Sequence, residues 1–182
     1  MRAFTALDLQ DDLRRRLGEL RESLRGSFPL LRWVRPEGIH LTLRFLGQVP
    51  SEQIAGLPVL LEPAARASGP IDATIAGLGL FPDRGSPRVL WLGISADASL
   101  SRIQAACEAA AVTAGFPPEP RPFRAHLTLG RWRDRVPRPA LPPADLGATR
   151  FSTVTLFKSE LRPSGSVYTA LGRCLLGHPR AG

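Results

Sequence analysis

The tetrapeptide His-Leu-Thr-Leu occurs twice in this chain, at residues 40–43 and 126–129, although the whole sequence holds only three histidines. In an extended strand, residues two apart point to the same face. His40 and Thr42 therefore share one face while Leu41 and Leu43 take the other, and His126, Thr128, Leu127 and Leu129 repeat the arrangement. Each copy offers an imidazole beside a hydroxyl, backed by two leucines that anchor the strand in a core. Two such strands facing one cleft would place two proton-transfer groups and two hydroxyl donors around a single anion. That set of groups suits the opening of a phosphodiester without a metal.

The 182 residues, 43% of them hydrophobic, suffice for one core. No stretch approaches the length of a transmembrane helix, and the first nine residues lack the pattern of a signal peptide, so the chain is expected to be cytoplasmic. Cys107 and Cys174 have neither metal-ligand nor redox spacing and read as two buried thiols. Three scattered histidines form no ligand cluster, which leaves a metal hydrolase poorly supported. The formal charge is +8, and Lys158 is the only lysine among 24 basic residues. A positive field favours polyanions such as RNA. An excess of arginine over lysine with abundant Ala, Gly and Pro is also what a GC-rich genome writes, so the field carries more weight than the residue type.

Residues 2–7 read as a strand, and Asp8 as the N-cap of a helix whose core stripe is Leu13, Leu17, Leu20 and Leu24, with residues 14–16, three arginines, on a solvated face. A strand over residues 31–34, a Pro-Glu-Gly turn and the first motif strand through Leu46 follow. A helix lies within residues 51–67, limited by Pro58 and Pro63, and a strand within 71–80. Residues 88–94 form another strand, followed by a helix that opens near Asp97 and closes at Gly115, and then by the second motif. Measured from Asp8 and Asp97, the motif histidines lie 40 − 8 = 32 and 126 − 97 = 29 residues on. A strand–helix–strand unit is used twice, which predicts a pseudo-twofold that sets the histidines opposite each other. Residues 134–147, with four prolines, read as a loop; residues 150–161 and 167–176 read as a closing strand pair, and the tail from Gly177 as frayed.

Five stretches resemble the two-histidine phosphoesterase superfamily, and within it the RNA 2′,3′-cyclic phosphodiesterases, also called 2′–5′ RNA ligases. They are the opening Met-Arg-Ala-Phe-Thr-Ala; Ile39 to Gly47, with its Phe-Leu-Gly exit; Arg88 to Gly93; Arg121 to Arg131, with its trailing arginine; and Ser159 to Tyr168. The resemblance runs nearly end to end, with no departure at the catalytic positions; the prolines of 51–63 and 134–147 are particular to this chain. It implies an α+β fold of two pseudo-twofold-related lobes in a single bilobal domain over residues 1–182, with antiparallel sheets lining a central cleft and helices outside. It also implies hydrolysis of RNA 2′,3′-cyclic phosphate ends to 2′-phosphomonoesters, with His40 as proton donor, His126 as proton acceptor, and no metal or nucleotide cofactor. Arg131 matches a ligand-contacting arginine, and Ser159 and Tyr168 match positions lining the cleft. A monomer is expected.

The chemistry supports the same reading. Opening the cyclic ester needs a water deprotonated on one side and a departing alkoxide protonated on the other, and imidazole does either near neutrality. Donors from Thr42 and Thr128 would hold the phosphoryl oxygens as charge builds on them. Phe4, Phe45, Trp33 and Trp91 read as core, with one of them free to stack on a base; His178 reads as a bystander. Two rival readings stand beside this one. An RNA ligase would work without ATP, by reversing the transesterification, because Lys158 lacks the setting of an adenylated lysine. A non-catalytic RNA-binding module would account for the charge but not for the paired motifs.

Overall fold

The computed structural model describes residues 1–162 and 165–177. The elements, in chain order, are β1 (Arg2–Leu7), α1 (Asp11–Leu24), β2 (Arg32–Trp33), β3 (Leu41–Gln48), α2 (Ser51–Ile54), α3 (Leu57–Ser68), β4 (Ile71–Phe81), β5 (Val89–Ala96), α4 (Ala98–Thr113), β6 (His126–Arg131), β7 (Asp145–Phe151), β8 (Thr153–Arg162) and β9 (Gly165–Leu175). The strands make two antiparallel sheets, β3-β1-β8-β9 and β2-β6-β5-β4-β7. With β2 set aside, the two orders map onto one another: each motif strand pairs with the strand that opens its half, and a further antiparallel pair follows. The duplicated unit is thus visible in the topology, and the fold is the expected α+β arrangement of two lobes. One apolar cluster runs through both sheets, from Leu7 and Leu41 to Leu92 and Leu127, all fully buried.

The helices exchange partners across the lobes. α4, which follows β5, packs against β3 of the other sheet, while α1, which follows β1, lies against β7. α1 buries Leu13, Leu17 and Leu24 as its leucine spacing predicts, but it begins at Asp11 with Gln10 as an N-cap that makes no side-chain bond. Asp8 is not the cap. Its carboxylate accepts a hydrogen bond from the Thr155 hydroxyl (2.8 Å), a long-range partner that no local pattern announces. Asp97 does cap α4, accepting from the Ser99 amide at 2.7 Å. Counted from the observed helix starts, the motif histidines lie 40 − 11 = 29 and 126 − 98 = 28 residues on, a closer repeat than the sequence suggests.

The arginine run of α1 is only in part a solvated face. Arg15 is exposed between Asp12 and Glu19, but Arg14 donates to the carbonyls of residues 36, 37 and 39, and Arg16 reaches the backbone of Leu146 and Ala148 in β7. Pro63 lies inside α3 without ending it. The carbonyl it leaves without a donor belongs to Val59, on the exposed side of the helix where water can serve it. The strand expected to run from residue 150 to 161 is two strands. β7 ends at Phe151 in the five-stranded sheet and β8 starts at Thr153 in the four-stranded one, so the chain changes sheet at Ser152. The proline-rich loop accordingly ends at Asp145 rather than after Gly147. Gly177 is held, its amide donating to the Ala65 carbonyl at 3.0 Å. Pro163 and Ser164 of the expected closing turn, and His178, lie outside the described residues.

Candidate active site

Both motif strands carry the same irregularity. In β3, Thr42 pairs with Ala6 but Arg44 with Thr5, so Leu43 is an extra residue; in β6, Thr128 pairs with Trp91 but Gly130 with Leu90, so Leu129 is extra. A β-bulge of this kind turns two successive residues to one side. Leu43 and Arg44 are buried, as are Leu129 and Gly130, and the alternation resumes one residue late. Phe45 and Arg131, five residues after the histidines, therefore join the face of His40, Thr42, His126 and Thr128. An unbroken strand would have turned Arg131 the other way. Gly130 is required here: a Cβ would come 2.6 Å from Leu31 Cγ and 3.0 Å from the Arg32 carbonyl, where β2 crosses β6.

The two imidazoles are held alike. His40 Nδ1 lies 3.0 Å from the Gly38 carbonyl and His126 Nδ1 lies 2.6 Å from the Arg124 carbonyl, each two residues upstream. A carbonyl only accepts, so each Nδ1 carries its hydrogen and Nε2 is left as the working nitrogen. Gly38 belongs to the 3-10 turn Pro36–Gly38, whose carbonyls Arg14 grips from α1, at 3.1 Å for Pro36. The His40 ring stacks on Phe4 (centroids 4.4 Å apart, 23° between planes) and meets the edge of Tyr168 at 5.0 Å. Across the cleft, His126 meets Phe81 edge-on at 5.0 Å and lies 6.3 Å from Trp91. The Arg124 guanidinium covers Phe81 at 4.6 Å and is clamped by both Asp83 oxygens, at 2.9 and 3.0 Å.

Burial pushes the His40 pKa down to about 4; the bond to Gly38 opposes this, and the charges of Arg14, His126 and Arg131 add to it. His126 is lowered in the same way, first by burial and then, against its bond to the Arg124 carbonyl, by the charges of Arg131 and Arg124. The charge of Arg131 thus bears on both rings, in keeping with the face that the β6 bulge gives it. In the free protein both imidazoles are neutral at pH 7. An anion bound between them would offset the positive surroundings and raise both, so that one can carry a proton while the other accepts one.

The fold brings His40, His126, Arg131 and Tyr168 together, with Thr42 and Thr128 half-buried on the same sheet faces. Ser159 pairs with Tyr168 across β8 and β9 and so shares its face, but Tyr168 is the residue whose ring meets His40. Of the aromatics, Trp33 packs on Phe28, and Phe4 is buried under His40, whereas Phe45 stays half-exposed on the cleft face. Arg14, Phe81, Phe157 and Arg124 were not legible as site residues. Phe157 stacks on Phe4 at 5.3 Å. The one signal available for Arg124 was its place two residues before a motif histidine, matching Gly38. Cys107 and Cys174 are free and buried, and burial pushes the Cys107 thiol up to about 12. Among the described residues, no three His, Cys, Asp or Glu side chains gather as metal ligands would, and no helix is long and apolar enough to cross a membrane.

The duplicated strand–helix–strand unit thus sets two matched imidazoles, a pair suited to proton transfer, over one cleft. Residues 7–91 and 92–168 match the model of the LigT-like phosphoesterases, and the chain belongs to that family. It is 33% identical to the RNA 2′,3′-cyclic phosphodiesterase of Methanothermobacter thermautotrophicus, over 93% of this chain and 95% of that one. Among solved structures, it superposes on a protein of Thermus thermophilus with a TM-score of 0.84 at 33% identity, covering 98% and 100% of the two chains. It superposes equally, at 0.84 and 27% identity, on Escherichia coli LigT complexed with 3′-AMP, over 97% and 98%.

Proposed function

We propose that this protein hydrolyses the 2′,3′-cyclic phosphate at the end of an RNA chain to a 2′-phosphomonoester by acid–base catalysis between His40 and His126. The observation that carries this reading is the matched pinning of both Nδ1 atoms, which leaves two Nε2 atoms for proton transfer. His126 Nε2 takes a proton from water as the water oxygen attacks phosphorus. The P–O3′ bond breaks on the opposite side, and His40, protonated once the anion is bound, gives its proton to the departing O3′. Thr42 and Thr128 donate to the non-bridging oxygens, and Arg131 balances their charge. Tyr168 and Ser159 line the ribose side next to His40. Residues 1–182 act as one bilobal unit, and a monomer suffices, since every group named lies in one chain. The names of the relatives support RNA as substrate, and a cytoplasmic setting suits it.

One assay tests the whole reading. An oligoribonucleotide ending in a 2′,3′-cyclic phosphate is incubated with the protein and EDTA, and the product is resolved by phosphorus NMR. A 2′-phosphate formed at an undiminished rate is expected. A 3′-phosphate would refute the orientation with O3′ towards His40, and activity lost to EDTA and restored by a divalent cation would refute the metal-free mechanism.

A further inference from the structure

We infer that the loops joining β4 to β5 and β6 to β7 form a preorganised arginine platform that binds the ribose-phosphate backbone of the RNA upstream of its terminal phosphate. The inference rests on the phosphodiesterase reading for the position of that terminus. Residues 82–88 and 132–144 are tied together along their length. Arg88 Nη1 donates to the Arg133 carbonyl at 2.7 Å, the Ser86 hydroxyl donates to the Val136 carbonyl and accepts from the Val136 amide, both at 3.0 Å, and Arg138 Nη1 donates to the Pro82 carbonyl at 3.1 Å. Pro82, Pro87, Pro137 and Pro139 fix φ at four points of the pair. The proline-rich loop that the sequence marks as particular to this chain is therefore braced against the loop joining β4 to β5.

What they display is positive charge without carboxylate partners. Several arginines on other faces are matched by neighbouring carboxylates, as Arg15 is by Asp12 and Glu19, Arg66 by Glu62, and Arg150 by Asp72. Arg84, Arg88, Arg133, Arg135 and Arg138 are all exposed, and among the described residues none is in an ion pair. Of the two acids in these loops, Asp83 is already committed to Arg124. Arg2, Arg32, Arg35 and Arg102 are also exposed without an ion pair among the described residues, but they are spread over β1, β2, the segment after it and α4, whereas the loops hold five within two braced segments. The platform is also continuous with the cleft. Val89, where the first loop ends, pairs with Arg131, and Phe81, where it begins, touches His126. A strand whose terminal phosphate lies between the histidines can thus run over the platform, each phosphate meeting a guanidinium fork. A polyanion is the occupant that this charge fits.

The test compares two variants of equal charge. One carries Arg84→Gln, Arg133→Gln and Arg135→Gln, sparing Arg88 and Arg138, whose side chains brace the loops. The other carries Arg15→Gln, Arg66→Gln and Arg150→Gln, at paired positions on other faces. Binding is measured by fluorescence anisotropy with a single-stranded oligoribonucleotide ending in an unreactive 3′-phosphate, and kcat/KM is measured on a cyclic-phosphate decamer and on a nucleoside 2′,3′-cyclic phosphate. The loop variant is expected to bind the oligonucleotide at least about tenfold more weakly, with the slope of log Kd against log salt reduced by about 2, at roughly 0.7 per phosphate contact. Its kcat/KM ratio of decamer to nucleoside substrate should fall by a similar factor, and the control should change neither quantity. Equal weakening in both variants, or none in the loop variant, would overturn the platform. A wild-type protein that cleaves neither substrate would refute the phosphodiesterase reading instead, and the anisotropy comparison would still decide the platform.

Discussion

Each catalytic candidate owes its state to one bond and one environment. The carbonyl two residues upstream fixes the tautomer, and burial with nearby guanidinium groups keeps the ring neutral. His40→Ala and His126→Ala are each expected to lower turnover by the ~10²–10⁴-fold typical of a lost acid or base, with the fold intact by circular dichroism. Near-normal turnover in either would end the two-histidine mechanism. The pH profile has a definite sign. Because kcat/KM reports the free protein, in which both pKa values are depressed, its bell should lie on the acid side of neutrality; kcat reports the complex, where the bound anion raises both, so its optimum should lie at higher pH. This replaces the limbs near neutrality that unperturbed imidazoles would show. Coincident optima above pH 7 would mean that the cleft does not shift the pair as its burial and charges require.

Among the elements, the bulges and the brace decide where the side chains go. His-Leu-Thr-Leu shows which residues share a face, but only pairing with β1 and β5 puts the extra residue at the second leucine, and with it Phe45 and Arg131 into the cleft. Arg14 reads in the sequence as one of three solvated arginines, yet it holds the turn that carries the carbonyl behind His40. Arg44 is buried beside Glu108 of α4, joining a motif strand to the helix of the other lobe. Arg14→Leu should loosen the turn, misplace His40 and lower kcat by roughly 10–10²-fold with a smaller change in KM, since an ångström of misplacement costs about that much. Stopped assays on Arg14→Leu and Arg14→Lys check this, with partial recovery expected in the lysine variant. A lowered melting temperature with unchanged kcat would reduce Arg14 to a structural role.

At the scale of the whole molecule, the exchange of helices between sheets makes the lobes interdependent, because α4 covers β3, and α1 lies against β7. Urea unfolding followed by both tryptophan fluorescence and far-ultraviolet dichroism should give one coincident transition, and two separated transitions would mean two independent units. Stability should also fall on acidification. His40 takes up a proton near pH 6.5 when unfolded but only at about 4 in the fold, so the unfolded state binds more protons between those values and gains as the pH drops through them. By itself the sequence determined the repeat, the strands and helices that show a clear period, the two catalytic candidates and the family likeness, because each is written in residues near one another along the chain. The partner of Asp8, the change of sheet at Ser152, the bulges, the grip of Arg14 and the pairing of the two loops are set between residues tens to well over a hundred positions apart. No local pattern encodes such contacts. They follow only when the two sheets close on one core, and the same closure buries the imidazoles and moves their proton affinities.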